Sequence, residues 1–164
     1  MWKNFKEAFE ATIRVRMSNF FPFKEILGRQ VVLSTDLVML AGMPKNSPGA
    51  CVIKFKDGVP RIVVNEKFME LPVIIQDPIL AHEEGHIQLF HLEKSKYVLI
   101  GYKMVACFSI VPEIEYAADL FAAKKCGFRP IITALRELIY RVDSRSARAQ
   151  LVRRVKRLRE AGNE

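Results

Sequence analysis

Two histidines four residues apart, in His82-Glu-Glu-Gly-His86, constrain this chain more than any other feature. In a helix that turns about 100° per residue, the second imidazole lies only about 40° round from the first, so both side chains face the same way. Asp77-Pro78 stands just upstream and reads as an N-cap followed by a proline at the first helical position. The predicted helix runs from that cap to about Lys94. Glu83 lies about 60° beyond His86, at the edge of the histidine face. Glu84 lies about 200° round from His82, in a structural or solvent-facing position.

The pattern is H-E-x-x-H, the zincin signature. Its chemistry explains its spacing. Two imidazoles on one face supply two zinc ligands, and Glu83 can reach a metal-bound water as general base without taking a coordination position. The chain has three histidines in all, between positions 82 and 91. A metzincin would carry glycine at position 89 and histidine at 92, where this chain has Leu89 and Leu92. His91 misses that register. On a continuous helix it would lie about 180° from His82 and point away from the metal, as a partly buried or surface histidine.

A third ligand is offered by Pro112-Glu-Ile-Glu-Tyr-Ala-Ala-Asp-Leu-Phe-Ala-Ala123, a predicted helix that begins at Pro112 and stops at Gly127. Glu115 and Asp119 are four apart and share a face. Ala118, Ala122 and Cys126 fall on the same side, so the helix can approach the His82 helix closely. Glu115 would then complete a two-histidine, one-glutamate site with an open position. Asp119 would bond a ligand imidazole, His82 in the first place, from behind. The alternative for Glu113, Glu115 and Asp119 is favourable placement of acids near a helix N-terminus.

Ile79-Leu-Ala-His-Glu-Glu-Gly-His-Ile87 followed by Glu115-Tyr-Ala-Ala-Asp119 resembles the gluzincin peptidases of the CAAX prenyl endopeptidase and HtpX type, with H-E-x-x-H and then E-x-x-A-D on a second helix. The resemblance covers roughly residues 60–127. It implies a Zn2+-dependent endopeptidase acting on peptide or protein substrates, with His82, His86 and Glu115 as ligands, Glu83 as base and Asp119 behind them. Typical members are membrane proteins with long apolar spans. Here the apolar stretch 97–111 is short and carries Lys103, where a spanning helix needs about 20 mostly apolar residues. A core-packed segment in a small single-domain relative is expected instead.

The rest of the chain predicts a mainly helical α+β domain over residues 1–164. Its zincin-like core is about 50–127, with a small sheet next to the active-site helix, and a basic helical segment follows over 128–164. Trp2 to Met17 reads as an amphipathic helix. Residues 50–56 and 61–64 read as a hairpin about Asp57-Gly58, with a half-exposed first strand. By the resemblance, Arg61 to Asn65 could pair with an extended substrate, although a plain structural hairpin fits equally. Helices are predicted from Pro130 to about Val142 and from Ser144 to about Ala161. For the oxyanion donor, Tyr97, Tyr102, Tyr116, Tyr140, Arg136 and Arg141 are all chemically able, and nothing selects among them.

Cys51, Cys107 and Cys126 are odd in number and widely spaced, which argues against a disulfide framework and fits a reducing, cytoplasmic setting. The first residues lack the apolar run of a signal peptide. The formal net charge is +8, and residues 141–164 hold eight basic and three acidic side chains. Within them Ala147, Leu151, Val155 and Leu158 form an apolar stripe, which predicts a docked helix with a basic outer face. Such a face also suits nucleic acid or an anionic surface. The competing function is therefore a nucleic-acid-binding or regulatory protein with a structural or vestigial zinc site.

Overall fold

The computed structural model describes residues 23–40, 46–54, 58–94 and 112–162. Along the chain these form β1 (Phe23–Ile26), β2 (Arg29–Leu33), α1 (Thr35–Leu40), β3 (Ala50–Lys54), β4 (Pro60–Val64), α2 (Glu66–Met69), α3 (Val73–Gln88), α4 (His91–Lys94), α5 (Pro112–Cys126), α6 (Phe128–Arg141) and α7 (Arg145–Gly162). The fold is α+β, mainly helical, with a small mixed sheet against α3. The segments expected at 2–17 and 97–111 lie outside the described residues, as do Tyr97, Tyr102, Cys107 and Asp57.

The sheet has the order β1-β2-β4-β3. β1 and β2 are antiparallel, β2 and β4 parallel, and β3 and β4 antiparallel with Cys51 opposite Val63. The expected β3–β4 hairpin is present. Its first strand is not half-exposed: Ala50, Cys51 and Val52 are buried in succession, the pattern of a strand covered on both faces. β4 is central, so its backbone is already paired on each side. That corrects the assignment of Arg61 to Asn65 to substrate pairing. Asn65 also has local duties, since its Oδ1 accepts from Gly49 N at 3.0 Å and Phe68 N at 2.8 Å and its Nδ2 donates to Ser47 O at 2.8 Å. Among the described residues β3 is the edge nearest α3.

α3 begins five residues before the expected proline start. Pro72 is its N-cap and Pro78 lies inside it. Pro78 costs the helix one backbone hydrogen bond. Ile75 N and Gln76 N instead bond Pro72 O, and the Gln76 side chain donates to Leu71 O at 2.7 Å. These bonds secure the added first turn. α3 also stops early, at Gln88, because Phe90 takes a left-handed backbone conformation (φ 54) and α4 starts in a new direction.

Two apolar clusters hold α3 in place. Ile75, Ile79 and Leu80 pack with Val31, Val52, Ile62, Val64 and Phe68 of the sheet side. Ala81 packs with Ala122, Ile131, Leu135, Leu151, Val155 and Leu158 from α5, α6 and α7. The predicted stripe on α7 is thus its buried face. No helix of the described residues is long and apolar enough to cross a membrane.

Candidate metal centre

The site forms where α3 and α5 come closest. Gly85, inside the His-Glu-Glu-Gly-His run, faces α5: a Cβ there would sit 3.1 Å from Phe121 Cβ and 3.2 Å from Ala118 Cα and O. Glycine on one helix and alanine on the other allow this approach. It brings the buried Glu115 and Asp119 of α5 against the buried His82 and His86 of α3.

His82 Nε2 and His86 Nε2 are 3.0 Å apart. Glu115 straddles them, with Oε2 3.4 Å from His82 Nε2 and Oε1 3.5 Å from His86 Nε2. In a tetrahedral site with bonds of about 2.0–2.1 Å, donor atoms stand roughly 3.3–3.4 Å apart. The three donors are spaced as ligands of one small cation would be, and His82, His86 and Glu115 form a group that could hold a metal ion. Of the residues picked out in the sequence, these three and Asp119 converge as expected. His82 Nδ1 donates to Asp119 Oδ1 at 2.8 Å, which turns its Nε2 toward the shared point.

Electrostatics follow from burial and from the charges packed here. For His82, burial pulls the pKa down, but the Asp119 charge outweighs it and holds the imidazole up to about 10. His86 is pushed down to about 3 by burial and by the neighbouring His82 charge. Burial raises Glu83 to about 7. Burial also acts upward on Glu115, but its hydrogen bond with His82 and the Arg154 charge prevail and hold it near about 2. Asp119 lies well below the usual carboxylate range because the Arg154 contacts overcome its burial.

Arg154 was not singled out in the sequence except as one of the basic residues on the last helix. It reaches inward from α7. Its Nε donates to Asp119 Oδ2 at 2.7 Å, Nη2 to Asp119 Oδ1 at 2.6 Å and Nη1 to Glu115 Oε2 at 2.9 Å. Nη2 also lies 3.3 Å from His82 Nδ1, but that nitrogen's hydrogen is directed at Asp119, so this approach is a contact and not a hydrogen bond. One guanidinium thus clamps both acids of α5. A signal did exist: Arg154 follows Leu151 by three and precedes Leu158 by four, on the apolar side of its own helix.

The remaining expectations sort as follows. Glu84 is structural, bonded to Arg29 Nε at 3.0 Å and Lys125 Nζ at 2.6 Å. Asp77 is not a cap: it accepts from Arg29 Nη1 at 2.7 Å. His91 does not point away. The break at Phe90 folds it back, buried, with Nδ1 2.9 Å from His86 Nδ1. Of the oxyanion candidates, Tyr116 lies beneath the Arg157 guanidinium, Tyr140 is exposed, Arg141 pairs with Glu137, and Arg136 lines a groove between α6 and α7. Cys51 is buried, and Cys126 Sγ lies 3.6 Å from Asp77 Oδ2.

Comparison with known proteins gives no match at a stringent threshold to any protein-family model, any curated protein or any solved structure.

Proposed function

We propose that this chain is a zinc-dependent endopeptidase of the gluzincin type. The observation that carries the reading is the convergence of His82 Nε2, His86 Nε2 and the Glu115 carboxylate at the edge lengths of a tetrahedron, with the buried Glu83 carboxyl next in sequence to His82. A bound zinc ion would supply a Lewis acid and would make a water ionisable near neutral pH. Glu83 would take the proton from the attacking water and pass it to the leaving amine. A carboxyl pushed up to about 7 is matched to that exchange at neutral pH. Asp119 and Arg154 would hold His82 and Glu115 in register. β3, the edge strand beside α3, is the strand suited to pair with an extended peptide.

The test is zinc content and peptide hydrolysis measured on the same preparations. Wild type should hold about one zinc per chain. Glu115→Ala should lose it. Glu83→Gln should keep the zinc and lose roughly 10²–10⁴-fold in hydrolysis. Equal zinc content and equal hydrolysis in the Glu83→Gln protein would exclude the catalytic reading.

A second reading is supported by the outer face of α7, where Arg145, Arg148, Arg153 and Lys156 are exposed. In that reading the protein binds nucleic acid or another polyanion and the zinc site is structural. It predicts salt-sensitive binding whether or not Glu83 is present.

A further inference from the structure

His91 is the histidine outside the proposed ligand set, and its ring packs against one member of that set. Its Nδ1 is 2.9 Å from His86 Nδ1. The two rings are 5.0 Å apart between centroids and inclined by 69°. His91 is buried, although the residue before it, Phe90, is exposed and held at φ 54. A left-handed backbone at a bulky residue is unfavourable and persists where the surroundings impose it. Phe90 makes no compensating burial of its own. What the distortion achieves is to end α3 and return His91, with Leu92, to the protein interior. Had α3 continued, His91 would stand about 140° round from His86 and out of reach.

With a metal ion bound, the hydrogen between the two Nδ1 atoms would have a defined owner. His86 Nε2 faces His82 Nε2 and the Glu115 carboxylate, and an ion at the shared point would take its lone pair. A neutral His86 with that lone pair carries its hydrogen on Nδ1 and donates it to His91. His91 must then accept at Nδ1 and carry its own hydrogen on Nε2. Asp119 does the equivalent for His82, so each ligand imidazole has an acceptor behind it.

We propose that His91 is a positioning residue: a neutral imidazole that accepts the His86 Nδ1 hydrogen and so fixes the tautomer and orientation in which His86 presents Nε2 to a metal ion. This rests on the reading of His82, His86 and Glu115 as a metal site. His91 does not coordinate the ion and does not touch substrate.

Asparagine and glutamine separate this role from mere volume. Asn places Oδ1 at the same bonded distance from the backbone as His Nδ1, whereas Gln places its oxygen one bond further. The experiment loads the full chain and its variants with zinc and measures affinity by competition with a chromophoric chelator. It also reads the histidine nitrogens of the zinc-loaded wild type by long-range ¹H–¹⁵N NMR. His91→Leu and His91→Gln should weaken zinc binding roughly 10–100-fold, and His91→Asn should stay close to wild type. The spectrum should show the hydrogen on His86 Nδ1 and a bare nitrogen at His91 Nδ1. Wild-type affinity in His91→Leu, or a hydrogen on His91 Nδ1 in the zinc-loaded protein, overturns the proposal while leaving the metal site standing. A wild-type chain that takes up no zinc overturns both. The spectrum needs no variant, so the proposal remains decidable should His91→Leu fail to fold.

Discussion

Arg154 carries a positive charge into a space that holds two carboxylates and a histidine. Replacing it with methionine keeps the bulk and leaves Glu115 and Asp119 without that partner. Removing one member of a buried ion pair costs about 3–5 kcal/mol. The metal-free Arg154→Met protein should therefore unfold at clearly lower urea than wild type, and saturating zinc should recover part of the difference. The His82 proton leads to a second prediction. With the imidazole held up to about 10, it is protonated at neutral pH in the metal-free protein. Its Nε2 must lose that proton to act as a ligand, so zinc uptake expels about one proton and tightens about tenfold per pH unit as pH rises toward 10. Calorimetric titration in two buffers of different ionisation heat measures the released proton directly. The groups that converge were legible in the sequence because their spacing is periodic within each helix, His82 and His86 on α3 and Glu115 and Asp119 on α5. Arg154 and His91 were not. Helical phase shows that Arg154 lies on the buried side of α7 but not which residues it meets there. His91 was placed by assuming that the helix continues, and Leu89-Phe90 carries no glycine, asparagine or proline to mark the break.

The elements depend on a few small side chains and turns. Gly85 faces the backbone of Ala118 so closely that a methyl group would be crowded, 3.2 Å from its Cα and O. Gly85→Ala should push α3 and α5 apart, with about 1–3 kcal/mol lost in stability and weaker zinc binding, measured by urea titration and chelator competition. The reverse is expected at the β1–β2 turn. Leu27 and Gly28 both have positive φ, 52 and 74, which is the type I′ hairpin geometry. Asparagine suits the first of these positions far better than leucine, so Leu27→Asn should raise stability by roughly 1 kcal/mol, seen as a higher melting temperature with zinc affinity unchanged. That same leucine explains why the hairpin was not anticipated: Leu-Gly lacks the usual turn signature. The start of α3 was misjudged for the opposite reason. Asp77-Pro78 has the composition of a helix start, yet Asp77 is tied to Arg29 and the helix runs through it.

Across the molecule, the basic surface and the candidate metal site share one helix but use opposite sides of it. Leu151, Val155 and Leu158 are buried and Arg154 enters the site, while Arg145, Arg153 and Arg159 are exposed. Reversing those three exposed charges to glutamate should change stability by no more than about 0.5 kcal/mol each and leave zinc binding intact. Any salt-sensitive binding to a polyanion should disappear in the same variant, as a retention assay on heparin would show. Deleting α7 is a different perturbation, because it also removes part of the core and the partner of Glu115 and Asp119. The α+β architecture and the docked final helix could be read from periodicity. The parallel β2–β4 pairing could not, since it joins strands separated by α1 and β3 and no local pattern specifies it.

The placement of Arg154 has a consequence for how the protein is made. Synthesis runs from the N-terminus, and every proposed ligand emerges before the helix that neutralises the acids beside it. A nascent or prematurely ended chain that stops before α7 would carry His82, His86, Glu83 and Glu115 but lack the clamp and the apolar stripe that packs with Ala81 and Ala122. The proposed metal site is in this sense completed only once α7 has emerged and docked, well after its proposed ligands have been made.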